Sequence, residues 1–120
     1  MEDSILISIR SILVGNEDDD SFDNELVSCI NLALNNLTDV GIGPKEGFEI
    51  TGTTETWTDF LGADKPILNR TKKYVELETR LLFDPPTSSY VLEALQKKAD
   101  EALVRANWTV DDQSGKEREE

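Results

Sequence analysis

Four stretches of the chain repeat apolar residues every three or four positions, the spacing that lines one face of an α-helix. The first runs from about Ser4 to Val14, with Ser4 placed as its cap. Ile5, Ile9, Ile12 and Leu13 share a face, and Leu6 and Ile7 widen it until little of the helix suits water. Gly15 ends it. The second follows an acidic run and carries Leu26, Ile30, Leu34 and Leu37, flanked by Val27 and Ala33. Ser21 or Asp20 is its expected N-cap, and Gly41, with Gly43 and Pro44 behind, stops it.

The third helical pattern starts near Asp64, with Pro66 tolerated in the first turn, and reaches Phe83. Ile67, Arg70, Tyr74, Leu77 and Leu81 recur along it, and Val75 and Leu82 give a second apolar edge. Pro85 and Pro86 forbid continuation. Hydroxyls at Thr87, Ser88 and Ser89 then offer caps for a fourth helix, to about Asn107, striped by Leu92, Leu95, Ala99, Ala102, Leu103 and Ala106.

Between the second and third patterns the period changes. Phe48-Glu49-Ile50 alternates, and Thr51, Thr53, Thr54 and Thr56 favour extended backbone, so residues 42–56 read as a short hairpin turning near Gly52 or as a long loop. Trp57 and Phe60 close this insertion on a short helical turn ended by Gly62. Asp111 to Glu120 has no apolar period and reads as a flexible polar tail. The expected fold is mainly α: a small four-helix domain over residues 1–110, a β-leaning insertion at about 42–56, and a C-terminal tail over 111–120. The short links favour antiparallel neighbours.

Charge narrows the functional classes. The 120 residues hold 12 Lys and Arg against 25 Asp and Glu, a formal net charge of −13. That balance disfavours phosphate-neutralising nucleic-acid binding and anionic membrane surfaces alike. No His is present, so imidazole bases and imidazole metal ligands are excluded. Cys29 alone permits no intrachain disulfide and reads as a small apolar filler. No apolar run has the length of a membrane span, and the N-terminal stretch does not read as a signal peptide.

The acidic run Glu17, Asp18, Asp19, Asp20, Asp23 and Glu25 lacks the central Gly and terminal Glu of a calcium-binding EF-hand loop. It reads instead as negative charge at the positive end of the second helix. No two carboxylates are singled out for acid–base work, so neither an enzyme nor a cofactor is expected. The basic stretch Lys65 to Arg80 reads as a solvated helix face or a partner for acidic neighbours. Trp57 and Trp108 each flank a segment without core periodicity, and each is either a core anchor or an interface hot spot.

The string from Tyr74 to Leu95 is the most specific in the chain. Its corner Arg80-Leu81-Leu82-Phe83-Asp84-Pro85-Pro86, followed by serines and an apolar helix, resembles the head–tail connector proteins of tailed bacteriophages of the siphovirus type, also called head-completion or adaptor proteins. Phe22-Asp23-Asn24-Glu25-Leu26 opening the second helix, and Gly41-Ile42-Gly43 closing it, fit the same family. The likeness covers roughly residues 3–108.

The resemblance implies a virion structural protein rather than an enzyme, assembled in the bacterial cytoplasm. Such subunits form a ring of about twelve copies under the portal, extend the DNA channel and present a platform for the next neck, stopper or tail component. Double-stranded DNA would pass without sequence-specific binding, and an acidic bore would repel it. The residues expected to meet partners are Phe48 and Ile50 in the insertion, Trp57 and Phe60 at its close, and Trp108 and Val110 beside the tail. On this reading the tail docks on the portal and the insertion faces the tail-side component or an adjacent subunit. The competing readings are a small acidic protein-binding module, either a DNA mimic or a regulatory partner, and a carboxylate-dependent hydrolase. Stoppers and tail terminators are more often β-rich, against the helical periodicity here.

Overall fold

A computed structural model describes residues 4–16, 18–61 and 65–119, with side chains for all of these except 65–67 and 107–119. Among the described residues lie five helices: α1 (Ile5–Leu13), α2 (Asp23–Asp39), α3 (Trp57–Leu61), α4 (Lys65–Phe83) and α5 (Ser89–Glu119). The four long patterns and the short turn at Trp57 are all present. α4 is the central helix, packed on α2 and α5 and touched by α1 and α3.

Local chemistry sets most helix ends. Ser4 Oγ accepts the Ile7 N–H at 3.3 Å and caps α1. α2 differs from expectation: its N-cap is Phe22, which makes no side-chain cap. Ser21 is occupied elsewhere, donating its N–H and hydroxyl to Asp19 Oδ1 at 3.0 and 2.5 Å and so closing a tight polar turn before the helix. α5 carries helical backbone to Glu119, past the expected end at Asn107. No proline follows Pro86, and Gln, Lys, Glu and Arg in the last turns all sustain a helix.

Residues 42–56 form a loop rather than a hairpin. Among the described residues there is no strand, only an isolated antiparallel bridge between Ser4 and Thr56. The reason is a side chain that replaces a strand partner. Asn31 of α2 accepts the Ile50 N–H at 2.8 Å and donates to the Ile50 carbonyl at 3.0 Å. The loop therefore lies on α2 with the Ile50 backbone paired to a side chain rather than to a strand.

The core confirms the α2 stripe: Leu26, Ile30, Ala33, Leu34 and Leu37 are all fully buried. Ile5, Leu6 and Ile9 of α1, Tyr74, Val75 and Leu77 of α4, and Ala99 and Ala106 of α5 join them. Each large aliphatic side chain so buried contributes about 1.5–3 kcal/mol. Two cross-links fix helix direction. Phe22, beside the start of α2, meets Phe83 at the end of α4 edge to face, with centroids 5.6 Å apart. Asn36, near the end of α2, donates to the Tyr74 hydroxyl at 3.0 Å. α2 thus runs antiparallel to α4. So does α5, whose Arg105 carbonyl accepts from Arg70 Nη1 at 3.1 Å. The molecule accordingly has a Phe83 end, where the acidic turn and the double-proline corner lie, and an Arg70 end.

Candidate functional site

The residues singled out in the insertion mostly turn inward. Trp57 and Ile50 are buried, Phe60 is nearly so, and Phe48 is half-buried with its ring 5.2 Å from that of Phe60. Trp57 donates Nε1–H to Ser8 Oγ at 2.9 Å, and Lys72 Nζ lies 5.7 Å from the centroid of its ring. In the folded subunit Ile50, Trp57 and Phe60 belong to the core and Phe48 packs against it. A bulky aromatic next to an aperiodic loop is covered because the loop folds back over it. Trp108 and Val110 have side chains outside the described residues.

What the loop does present is polar. Thr51, Thr53 and Thr54 are exposed around Glu55. Partial burial works to raise the Glu55 pKa, but hydrogen bonds from the Thr51 hydroxyl and the Thr51 and Gly52 N–H groups outweigh it and leave the carboxyl below its usual range. The Ile5 N–H donates to the Glu55 carbonyl at 3.1 Å, tying the loop to α1.

The apolar surface lies elsewhere. At the start of α5, Tyr90 is 81% exposed, and Val91 and Leu92 are exposed beside it. Leu82 on α4 and Phe22 before α2 are exposed as well, towards the same Phe83 end of the molecule. Large apolar side chains gathered where one helix ends and the next begins, uncovered among the described residues, mark a contact surface. Sequence periodicity placed Leu92 on the stripe of α5 and Leu82 on a second apolar edge of α4. Tyr90 and Val91 belonged to no stripe, which was the signal available.

The acidic turn adjoins this surface. Asp18 donates its N–H to Asn16 Oδ1 at 2.9 Å. Hydrogen bonds from the Ser21 hydroxyl and N–H, the hydroxyl first, lower the Asp19 pKa. Asp23 is claimed by Arg10 through Nε at 3.1 Å and Nη2 at 2.6 Å. Arg10, a lone cation in an apolar helix, was a legible hint of this clamp. Cys29 is half-buried, and burial, then Glu25, raises its thiol pKa.

The Arg70 end has the opposite charge. Between α4 and α5 an open groove of about 490 Å³ is lined by Arg70, Lys73, Lys98 and Arg105, with Glu101 the one carboxylate and Leu77 in its wall. Burial, then Asp100, raises the Glu78 pKa. Yet the groove beside Asp100 is lined by Lys97, Glu101, Val104 and Arg105, not by Glu78. Among the described residues no three His, Cys, Asp or Glu side chains converge on a point fit for a metal ion. No described helix is long and apolar enough to cross a membrane.

No curated protein and no solved structure matches the chain. The sequence model of the family described as Phage connector protein matches residues 5–113, from the start of α1 well into α5. That span takes in the double-proline corner, the acidic turn and every buried residue of the core but Ser4. The chain therefore belongs to the phage connector protein family, and its role is that of a structural connector of the phage particle.

Proposed function

We propose that this chain is one subunit of a ring of about twelve copies seated under the portal, extending the DNA channel and forming the platform on which the next neck or tail component docks. The observation that carries this reading is the family match over residues 5–113, which takes in α1 to α4 and most of α5. The exposed apolar surface at Phe22, Leu82 and Tyr90 supports it, because a lone subunit leaves that surface wet. The charge supports passage of DNA. About twelve copies at −13 each bring on the order of 150 negative charges, and those facing the bore repel phosphates and keep the duplex from sticking. The C-terminal segment beyond Asn107, with Trp108 as anchor, serves portal docking. The 42–56 loop offers its Thr51, Thr53 and Thr54 edge to the tail-side component.

Electron microscopy of the purified chain mixed with its portal tests the proposal. Rings on the portal's exit face, absent when the residues from Trp108 onward are deleted, are the expected result. A chain that ignores the portal at every concentration overturns it. Replacement of residues 42–56 by a Gly-Ser linker is expected to leave heads filled and tails unjoined.

A further inference from the structure

We propose that neighbouring subunits join head to tail through charge, the acidic turn Asp18–Asp20 of one copy seating in the α4–α5 groove of the next. The two features are complementary. The groove sets four cations against one carboxylate in a chain whose net charge is −13. The turn sets three consecutive carboxylates on a backbone already ordered by Asn16 and Ser21, so little freedom is lost when it docks.

They cannot meet within one subunit. The turn precedes Phe22, which packs on Phe83, whereas Lys73 marks the middle of the groove. Ten residues of α4 separate Lys73 from Phe83, about 15 Å at 1.5 Å per residue. The Arg10–Asp23 ion pair fixes the start of α2 and so holds the turn at its own end. Complementary patches at different places on one surface give a heterologous contact, the kind that closes rings. Apolar groups flank both halves, Phe22 and Leu82 near the turn and Val104 by the groove. A second copy is favoured over a nucleic acid. A duplex must approach the whole −13 subunit to reach four cations, while every copy carries one turn and one groove. Arg70 donates to the Arg105 carbonyl and so ties α4 to α5 across the groove, while Lys73 lies 3.8 Å from Glu76 on its own helix. The inference deepens the connector reading and rests on it for the closed ring; the pairing is a property of the free chain.

The test is zero-length carbodiimide cross-linking of the full chain at low salt, with isotope-labelled and unlabelled copies mixed, alongside sedimentation. Cross-links between copies from Lys73 or Lys98 to Asp18 or Asp20 are expected. Lys73→Glu with Lys98→Glu, or Asp18→Lys with Asp20→Lys, is expected to weaken self-association about tenfold, and the combined quadruple variant to recover it. Circular dichroism checks that each variant is folded. No self-association, no recovery in the quadruple variant, or groove cross-links running to Glu117 or Glu119 overturns the proposal. So does a duplex DNA fragment that binds the wild type and not Lys73→Glu with Lys98→Glu while self-association is unchanged. Rings on the portal without these cross-links overturn the pairing and spare the connector reading. Cross-links and charge rescue in a chain that never docks do the reverse.

Discussion

Consider removing the carboxylate that holds Arg10. Arg10 is 6% exposed, and Asp23 grips it with two hydrogen bonds. Stripping the partner from a fully buried pair costs about 3–5 kcal/mol, because an uncompensated charge stays behind. The Asp23 side chain retains 26% of its exposure, so water reaches part of the pair and the figure falls to about 2–3 kcal/mol for Asp23→Ala. Arg10→Met leaves an aspartate that water can reach and a thioether that fills the vacated space, at about 1 kcal/mol. The double variant has neither a stranded charge nor the pair, and is expected near 1.5 kcal/mol, which makes the coupling about 2 kcal/mol. Arg10 has further interactions, which enter the cost of each Arg10 variant and cancel in the cycle. Urea unfolding followed by circular dichroism measures all four proteins. A coupling below about 0.5 kcal/mol is what an exposed surface pair gives, and it would refute the claim that this clamp is interior and structural.

Three further outcomes are expected. Gly43 has φ +85° and a Cβ there would collide with the Phe60 ring, whereas Gly41 at φ +88° has open space. Gly43→Ala is therefore expected to cost about 3 kcal/mol and Gly41→Ala about 1, and equal midpoints in urea would contradict the close approach. Thr71 and Thr79 Oγ1 are buried with no hydrogen-bond partner among the described residues. Thr71→Val and Thr79→Val remove the desolvated hydroxyl at constant shape, so each is expected to raise stability by about 1 kcal/mol; a loss of that size in thermal melts would mean the hydroxyls are satisfied in solution. Burial, then Asp100, holds the Glu78 pKa above its ordinary 4.5 in the folded state. The folded chain then binds this proton more tightly than the unfolded chain, so Glu78 costs stability at neutral pH, and the cost fades as pH falls through the raised value towards 4.5. Glu78→Gln should melt higher than wild type at neutral pH and lose that advantage in acid; an advantage that grows in acid inverts the sign and rejects the argument.

The helices were legible because each stripe is a local record of a continuous partner. α2 is the clearest case: Leu26, Ile30, Leu34 and Leu37 meet neighbours along the whole helix and all disappear from solvent. Ser4 as cap and the stop before Pro85 needed only nearest-neighbour chemistry. What was not legible depended on distant residues. Trp57 stood between core and interface until Ser8, 49 positions away, supplied the acceptor for its indole N–H. The choice between hairpin and loop for residues 42–56 turned on Asn31, a polar residue in the middle of a helix that no periodicity marks. Ser21 does not cap α2 because the helix starts one residue later, behind Phe22, and Ser21 closes the preceding polar turn on Asp19 instead.

The candidate surface was the least legible part, and the reason is geometric. A hydrophobic stripe says which side of a helix wants cover, not how far the cover extends. The sequence places its apolar surplus on α1, where six of nine residues are Ile or Leu; the fold absorbs Ile5, Leu6 and Ile9 there and leaves Ile12 as the exposed exception. The larger uncovered group forms where α4 stops at Phe83 and α5 starts at Ser89. α2, antiparallel to α4, also begins at this end, and among the described residues Leu82, Tyr90 and Leu92 stay exposed there. The two prolines that made the corner recognisable also create that surface, because they end one helix and aim the next so that its first turn stands clear of the core. If the corner exists to present this turn, Tyr90→Ser with Leu92→Ser should leave the isolated chain as stable as wild type, since neither side chain is in the core, and yet abolish association with copies or portal. Equal loss of stability and association would instead make the turn part of the subunit's own fold.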